Sequence, residues 1–561
     1  MITRRDLLVA SAALAPLAPA RAQAPNQAEL LRFAPLGQVT LIHMTDLHGQ
    51  LVPMFFREAS AKIGVGEARG RLPHITGEAF LAEFGLARGT PFAHALTDLD
   101  FADLARRFGP MGGADRMATI IKAIRAERPG RCLLLDGGDT WQGAWTNLQT
   151  KAADMVAVQK VLGVDAMVGH WEFTYGADHV TELAKGLSFP FLAGNIQDRE
   201  WNEDVFPTHA MFERGGVKIA VIGQAFPYTP IANPRWMFPD WEFGIKEEKI
   251  AARVQAARDE GAGLVVLLSH NGFEVDRKLA ARVPGIDVIL TGHTHDALPR
   301  PVQIGRTLLI ATGASGKFIS RLDLDVQGGR DLDVQGGRVA GYRHALIPVF
   351  SNSITPDAEM AALVRGLREP YAADLARVVG RTESLLWRRG NTAGTWDDVI
   401  CDALLEQRDA EIALSPGFRW GTTLLPDTDI TAEDVWAQTA ITYPAAYRSV
   451  MKGAAIKALL EDIADNLFHP DPFYQQGGDM VRSAGITFTL DVAAGAGQRI
   501  SNLRLKRSGQ PLEASQDYVV AGWASINEGV EGPPIWDLVF RHLAKGPLRV
   551  AQRQDVELRG M

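Results

Sequence analysis

Histidine and carboxylate recur in five short motifs: Asp46-Leu-His48, Asp136-Gly-Gly-Asp139, Gly169-His170-Trp171-Glu172, Ser269-His270-Asn271 and Gly292-His293-Thr-His295. Imidazole nitrogen and carboxylate oxygen are donors that Mn, Fe, Zn and Co all accept. Taken singly, each motif has a bland reading. Asp-x-His arises by chance, His-x-His can be a solvated loop, a lone His270 after an apolar run is often a hydrogen-bonded core residue, and Gly-Asp is common in turns. Together, Asp46 and Asp139 with His48, His170, His270, His293 and His295 supply two carboxylates and five imidazoles. That is too many for one ion and right for two, with no cysteine ligand among them.

The elements in front of these motifs say how they meet. Short apolar, β-branched runs precede them: Val39–Met44, Cys132–Leu135, Ala166–Val168, Leu264–Leu268 and Val288–Leu290, with a further run at Ile219–Ile222. Apolar residues on consecutive positions predict strands covered on both faces. Amphipathic helices alternate with them. Met117, Ile120, Ile121 and Ile124 form one stripe within 114–128, and Ile250, Val254 and Ala257 another within 247–260. Alternating strands and helices predict an α/β domain, and ligands bind at the carboxyl ends of such strands. Five polar motifs at five strand ends therefore converge.

Residues 51–112 break the rhythm. They are rich in Gly and Phe, show no clear strand, and read as a long excursion at the sheet's edge. The octad Asp323-Leu-Asp-Val-Gln-Gly-Gly-Arg330 repeats at once as 331–338, which predicts a lengthened hairpin or a surface loop rather than a catalytic element. A helical stretch over 355–376 should bridge to a second, α+β domain, with helices over 396–410 and 449–467 and strands at 486–490 and 517–521.

Composition bounds the function. The chain has 561 residues, 46% hydrophobic and 22% charged, which excludes wholesale disorder and predicts two or three domains. A net charge of −8 without Lys/Arg blocks argues against a nucleic-acid partner. Cys132 lies in an apolar run, Cys401 in a helical pattern, and two cysteines build no disulfide framework. Arg4-Arg5 before the apolar stretch 7–20, with small residues at Ala20 and Ala22, reads as a twin-arginine signal of residues 1–22. That predicts passage through the Tat export machinery, a periplasmic location and no membrane anchor in the mature protein.

In order and spacing, the five motifs resemble those of the calcineurin-like metallophosphoesterases, and more closely the 5′-nucleotidase family. The resemblance implies a metallophosphoesterase-like α/β domain, a β-sandwich with flanking helices, over 37–350. A linker helix over 351–378 and an α+β nucleotidase-type substrate domain over 379–561 follow. It assigns Asp46, His48 and His295 to one metal, His170, His270 and His293 to the other, and Asp139 as the bridge. A bridging hydroxide is then the expected nucleophile.

One segment departs from the nucleotidases. They carry Gly-Asn-His-Glu-Phe-Asp, whose Asn binds metal and whose His–Asp pair protonates the leaving alkoxide. Here the segment is Gly169-His170-Trp171-Glu172-Phe173-Thr174-Tyr175-Gly176. His170 takes the ligand position, Trp171 replaces the general acid and Thr174 its orienting Asp. Indole donates no proton in a useful pKa range. The nucleotidases' Gly-Gly-Asp-Gly-Phe segment, part of the clamp on the base, has no clear equivalent, since 524–532 reads Ala-Ser-Ile-Asn-Glu-Gly-Val-Glu-Gly.

This octapeptide and the Gly138-Asp139-Thr-Trp141-Gln-Gly143 loop resemble those of the thiosulfohydrolase family of the bacterial sulfur-oxidation (Sox) system. That resemblance implies a periplasmic di-manganese enzyme. Its substrate is a cysteine S-thiosulfonate on the SoxYZ carrier. Hydroxide attacks the sulfone sulfur and sulfate is released. Arg419, in Ser415-Pro-Gly-Phe-Arg419-Trp-Gly, is expected to grip the sulfonate oxygens, with Arg482 a second candidate; the alternative for either is an interdomain ion pair. Trp171 and Tyr175 are expected to wall a narrow channel for a peptide-borne substrate; the alternative is core packing, which suits Phe173 better than Trp171. The alternative function is that of a periplasmic 5′-nucleotidase or 2′,3′-cyclic phosphodiesterase.

Overall fold

The computed structural model describes residues 23–327 and 338–561. The expected signal segment 1–22 and most of the tandem octad lie outside the described residues. Two sheets stack in the N-terminal part. The first runs Arg338–Pro348, Phe318–Gln327, Val39–Met44, Cys132–Asp136, Ala166–Met167, with the last three strands parallel. The second runs Val302–Ile304, Thr307–Ala311, Val288–Thr291, Leu264–Ser269, Val217–Gln224, His209–Arg214, parallel at its centre.

Leu41, Leu133, Leu135 and Val168 of one sheet meet Val221, Val266, Leu268 and Leu290 of the other in a dry layer. The outer faces carry helices. Ala114–Glu127, Ala153–Leu162 and Ala358–Arg368 cover the first sheet, and Glu247–Asp259 and Phe273–Arg282 the second. This is why the strands read as continuous apolar runs: both faces of each are buried. The fold is the expected α/β sandwich with flanking helices, followed by an α+β C-terminal domain.

That C-terminal domain holds a four-stranded sheet, Ala446–Lys452, Asp517–Trp523, Ile412–Ser415, Arg482–Ala484, and a three-stranded one, Ile500–Leu505, Ile486–Asp491, Val556–Arg559. Helices Thr395–Gln407 and Ile535–Leu543 pack on each other and on the larger sheet's core. The expected helix from 449 begins at Gly453, because 446–452 pair residue by residue with 517–523 and alternate outward Arg448, Val450 and Lys452. The helix over Ala358–Arg368 packs Met360 and Val364 into the N-terminal core and reaches the C-terminal domain through the Arg368–Glu433 ion pair.

Residues 51–112 contain no strand but do contain helices Gly77–Phe84, Pro91–Leu96 and Phe101–Phe108. Buried Lys317, beside the strand Phe318–Gln327, pins this insertion with an ion pair to Glu58 at 2.5 Å and a bond to the Ala95 carbonyl at 2.9 Å. The strands flanking the octad are antiparallel, and its first residue, Asp323, is buried on Arg321 and Thr40. Cys132 and Cys401 are buried free thiols. Among the described residues, no helix is long and apolar enough to cross a membrane.

Candidate metal centre

Asp46 and His48 follow the strand Val39–Met44, Asp139 follows Cys132–Asp136, and His170 follows Ala166–Met167. From the second sheet, His270 follows Leu264–Ser269, and His293 and His295 follow Val288–Thr291. Stacking the sheets brings these ends together. Two buried groups result: Asp46, His48, Asp139 and His295; and Asp139, His170, His270 and His293. Within each group the ligand atoms lie within 4.8 Å of one another, and Asp139 belongs to both.

The geometry within the groups fits cations rather than neutral hydrogen bonding. His48 Nε2 and His295 Nε2 face each other at 3.2 Å, and His295 Nε2 lies 3.1 Å from Asp46 Oδ1. His270 Nε2 is 3.1 Å from Asp139 Oδ2 and 3.8 Å from Asp46 Oδ1. His270 Nε2, which faces both carboxylates, is buried without a hydrogen-bond partner. Burial pushes Asp46 up to about 6. Against burial, the Asp139 and Asp46 carboxylates push His270 up to about 10, so the carboxylates recruit positive charge. Burial holds His170, His293 and His295 below the usual imidazole range, hence neutral and able to bind a metal. An oxygen–nitrogen set of this kind, bridged by one carboxylate, fits a dinuclear centre.

The local backbone aims these side chains at a cost. Asp46, His48, Asp139, His293 and His295 all adopt left-handed φ, between 48° and 72°. Each such non-glycine residue costs of order 1 kcal/mol, strain that functional sites characteristically hold. Outer contacts fix the rings. His48 Nδ1–H donates to Gln142 O at 3.2 Å and His270 Nδ1–H to Gly137 O at 2.5 Å, turning each Nε2 inward. Phe226 packs on both His170 and His293, 4.2 and 4.1 Å between ring centres.

The octapeptide 169–176 divides its work residue by residue. His170 enters the cluster. Trp171 donates its backbone N–H to Asp139 Oδ1 at 2.8 Å, while its ring leaves the N-terminal part to pack on Trp420 and Phe418, at 4.9 and 5.4 Å. Glu172, fully buried, accepts four backbone N–H groups: His170 at 2.7 Å, Thr140 at 2.7 Å, Asp139 at 3.2 Å and Trp141 at 3.2 Å. Phe173 is core. Thr174 meets Thr442 of the C-terminal domain at 2.7 Å. The Tyr175 hydroxyl donates to the carbonyls of Trp141 and Asn147, both at 3.0 Å.

A cleft opens beside His293. Lys62 and His74 of the insertion line it, with Asn271 and Phe273, and from the C-terminal domain Arg389, Arg419 and Gly477–Asp479. Arg419 is therefore at the cleft. Its guanidinium is not a free fork: Nη1 donates to His293 O at 3.1 Å, Nη2 to Gly478 O, and Nε faces Asp479 at 3.5 Å. The Trp171 ring lies 5.1 Å from that of His170 and packs on Trp420 and Phe418, and the Tyr175 hydroxyl is taken by two backbone carbonyls; neither side chain reaches the cleft beside His293. Arg482 is also turned away, locked between Asp397 and Asp479. Sequence reasoning missed Lys62, Arg389 and Glu172. Glu172 lay inside the quoted motif. Lys62 and Arg389 lay in stretches without periodicity, where only the folded chain shows their neighbours.

Comparison with known proteins agrees with this architecture. Residues 378–537 match the family model for the 5′-nucleotidase C-terminal domain. A 5′-nucleotidase of Diplobatis ommata is 27% identical over 58% of this chain, and a snake venom 5′-nucleotidase of Naja atra 33% identical over 33%. The matched regions span only 61% and 36% of those relatives. A solved 5′-nucleotidase precursor from Thermus thermophilus shares the fold, with a TM-score of 0.73 at 19% identity, over 93% of this chain and 100% of that one. Fold and site thus define a two-domain protein of the 5′-nucleotidase superfamily with residues placed to hold two metal ions. The solved sulfate thiohydrolase SoxB of Thermus thermophilus is 37% identical with a TM-score of 0.90, over 94% of this chain and 98% of that one. The chain belongs to the SoxB family.

Proposed function

We propose that this protein is a dimanganese thiosulfohydrolase, hydrolysing sulfate from a cysteine S-thiosulfonate carried on SoxYZ in the periplasm. The observation that carries this reading is the fate of Trp171. Where nucleotidases place a protonating histidine, this chain has an indole packed between the two domains on Trp420 and Phe418. Losing a general acid costs an alkoxide-releasing reaction about 10²–10⁴ in rate. A persulfide leaves as a stable anion and needs no proton.

The step balances without an acid. Water oxygen bonds to the sulfone sulfur, the S–S bond breaks, and its electron pair stays on the carrier's sulfane sulfur. Sulfate and protons are the other products. Two divalent cations, when bound, lower the pKa of water and offset charge on the sulfonate oxygens. Asp46, His48 and His295 would hold one, His170, His270 and His293 the other, with Asp139 between them. Arg419 and Arg389 bring two guanidinium groups to the cleft, beside Asp479 and Asp296, so attraction for an anionic substrate would come chiefly from the bound cations.

The nucleotidase alternative has the curated relatives in its favour. Against it, the Gly-Gly-Asp-Gly-Phe segment that forms part of the nucleotidases' clamp on the base has no clear equivalent at 524–532. Sulfate release from thiosulfonated carrier, beside phosphate release from AMP, separates the two. Sulfate release with negligible phosphate is expected. Rapid AMP hydrolysis without sulfate release overturns the proposal. Trp171→His should not produce brisk AMP hydrolysis, because the segment that clamps the base is missing as well.

A further inference from the structure

The turn His293–Asp296, which carries two of the ligand imidazoles, is held from outside its own sheet. The carbonyl of His293 accepts from Arg419 Nη1 at 3.1 Å, and the carbonyl of Thr294 accepts from Arg389 Nη2 at 2.8 Å. Asp296 pairs with Lys62 Nζ at 2.8 Å. Three cations grip three residues of this four-residue turn. Two come from the C-terminal domain and one from the 51–112 insertion.

The grip is itself supported. Asp479 lies between Arg419 Nε, at 3.5 Å, and Arg482 Nη2, at 3.2 Å. Arg482 Nε reaches Asp397 at 3.2 Å, and Asp397 takes Arg388 Nε at 3.0 Å. From Asp479 to Arg388 this chain of alternating charges is buried. Asn391 joins it to the insertion, accepting from Ile63 N at 2.7 Å and donating to Asp479 at 3.2 Å. Gly477 presses on the turn so closely that a Cβ there would lie 2.0 Å from His293 Nε2.

The turn needs such support, because His293 and His295 are both left-handed, at φ 72° and 57°. Charge-assisted bonds to carbonyls are stronger than neutral ones. We propose that Arg389, Arg419 and Lys62 are positioning residues for the metal centre, so that the C-terminal domain and the insertion set metal affinity as well as shape the cleft. Two effects of these cations oppose. Bracing the ligand turn raises affinity, while like-charge repulsion of a divalent ion lowers it. Outer contacts of metal ligands typically change affinity about 10–100-fold, and the pairing of Lys62 with Asp296 and of Arg419 with Asp479 offsets their repulsion, so bracing should win.

The test is calorimetric titration of Mn2+ into the metal-free full-length protein, with no substrate. Arg389→Met should weaken Mn2+ binding about 10-fold. Arg389→Lys, which can still donate to Thr294 O, should retain most of the affinity. If Arg389→Met does not fold, Lys62→Met at the cleft's rim carries the same expectation. Coupling is reciprocal, so Mn2+ should also slow amide exchange in 415–421 and 477–482 of the wild-type protein. Unchanged or tighter Mn2+ binding in both Met variants, or no change in exchange, overturns the proposal. The readout is independent of which bond the enzyme hydrolyses.

Discussion

Asp139 accepts the Trp171 N–H on one oxygen and faces His270 Nε2 at 3.1 Å on the other, while its backbone is left-handed. Its negative charge is shared by both ligand groups. Asp139→Asn keeps the shape and removes that charge. Turnover should fall at least about 10³-fold, corresponding to about 4 kcal/mol of lost charge stabilisation, with the far-ultraviolet circular dichroism unchanged. Turnover within tenfold of wild type would show that Asp139 does not bridge the metals. At this scale the sequence was informative because ligand types and strand-end positions are local properties. All seven residues named from it, Asp46, His48, Asp139, His170, His270, His293 and His295, lie together in the structure. Trp171 and Tyr175 were named from the same octapeptide, and their side chains are taken up by ring packing and by two backbone carbonyls, because the direction of a ring depends on what packs against it.

Elements tell a different story. The buried-strand runs were legible, since burial on two faces writes itself as consecutive apolar residues. The helices at 77–84, 91–96 and 101–108 were not. Each is at most eight residues long, too short for an apolar stripe to repeat, and held by the core beneath it. The strand 446–452 hid in a helix-compatible pattern that its partner strand overruled. The insertion's attachment rests on the buried Lys317–Glu58 pair. Lys317→Met leaves Glu58 buried and unpaired, which costs about 3–5 kcal/mol. Urea unfolding should show that loss, and a change below about 1 kcal/mol would mean that other contacts hold the insertion.

At the scale of the molecule, the two domains interlock around the metal centre. Trp145 stacks on Trp436 with centroids 4.0 Å apart and planes at 11°. Gln142 donates to Ala440 O at 3.0 Å, and Tyr443 to Ala232 O. Trp171 lies in the C-terminal core cluster. A bound metal stabilises whatever state holds it, by about 2.7 kcal/mol at a hundredfold excess over its Kd. Chelation should therefore lower the melting temperature of the whole chain as one unit in scanning calorimetry. Movement of an N-terminal transition alone would show that the domains unfold independently. The effect should weaken in acid, where protons compete for the imidazoles.

The chain itself determined the sandwich strands, the donor set and the absence of an acid at position 171, because residue type and period are properties of neighbours in sequence. Only the tertiary structure decided that Arg419 clasps the His293 carbonyl, that Arg389 and Lys62 flank it, and that Trp171 serves an interface. These contacts join residues up to 234 positions apart, and no local pattern encodes which charges will face each other once the sheets stack.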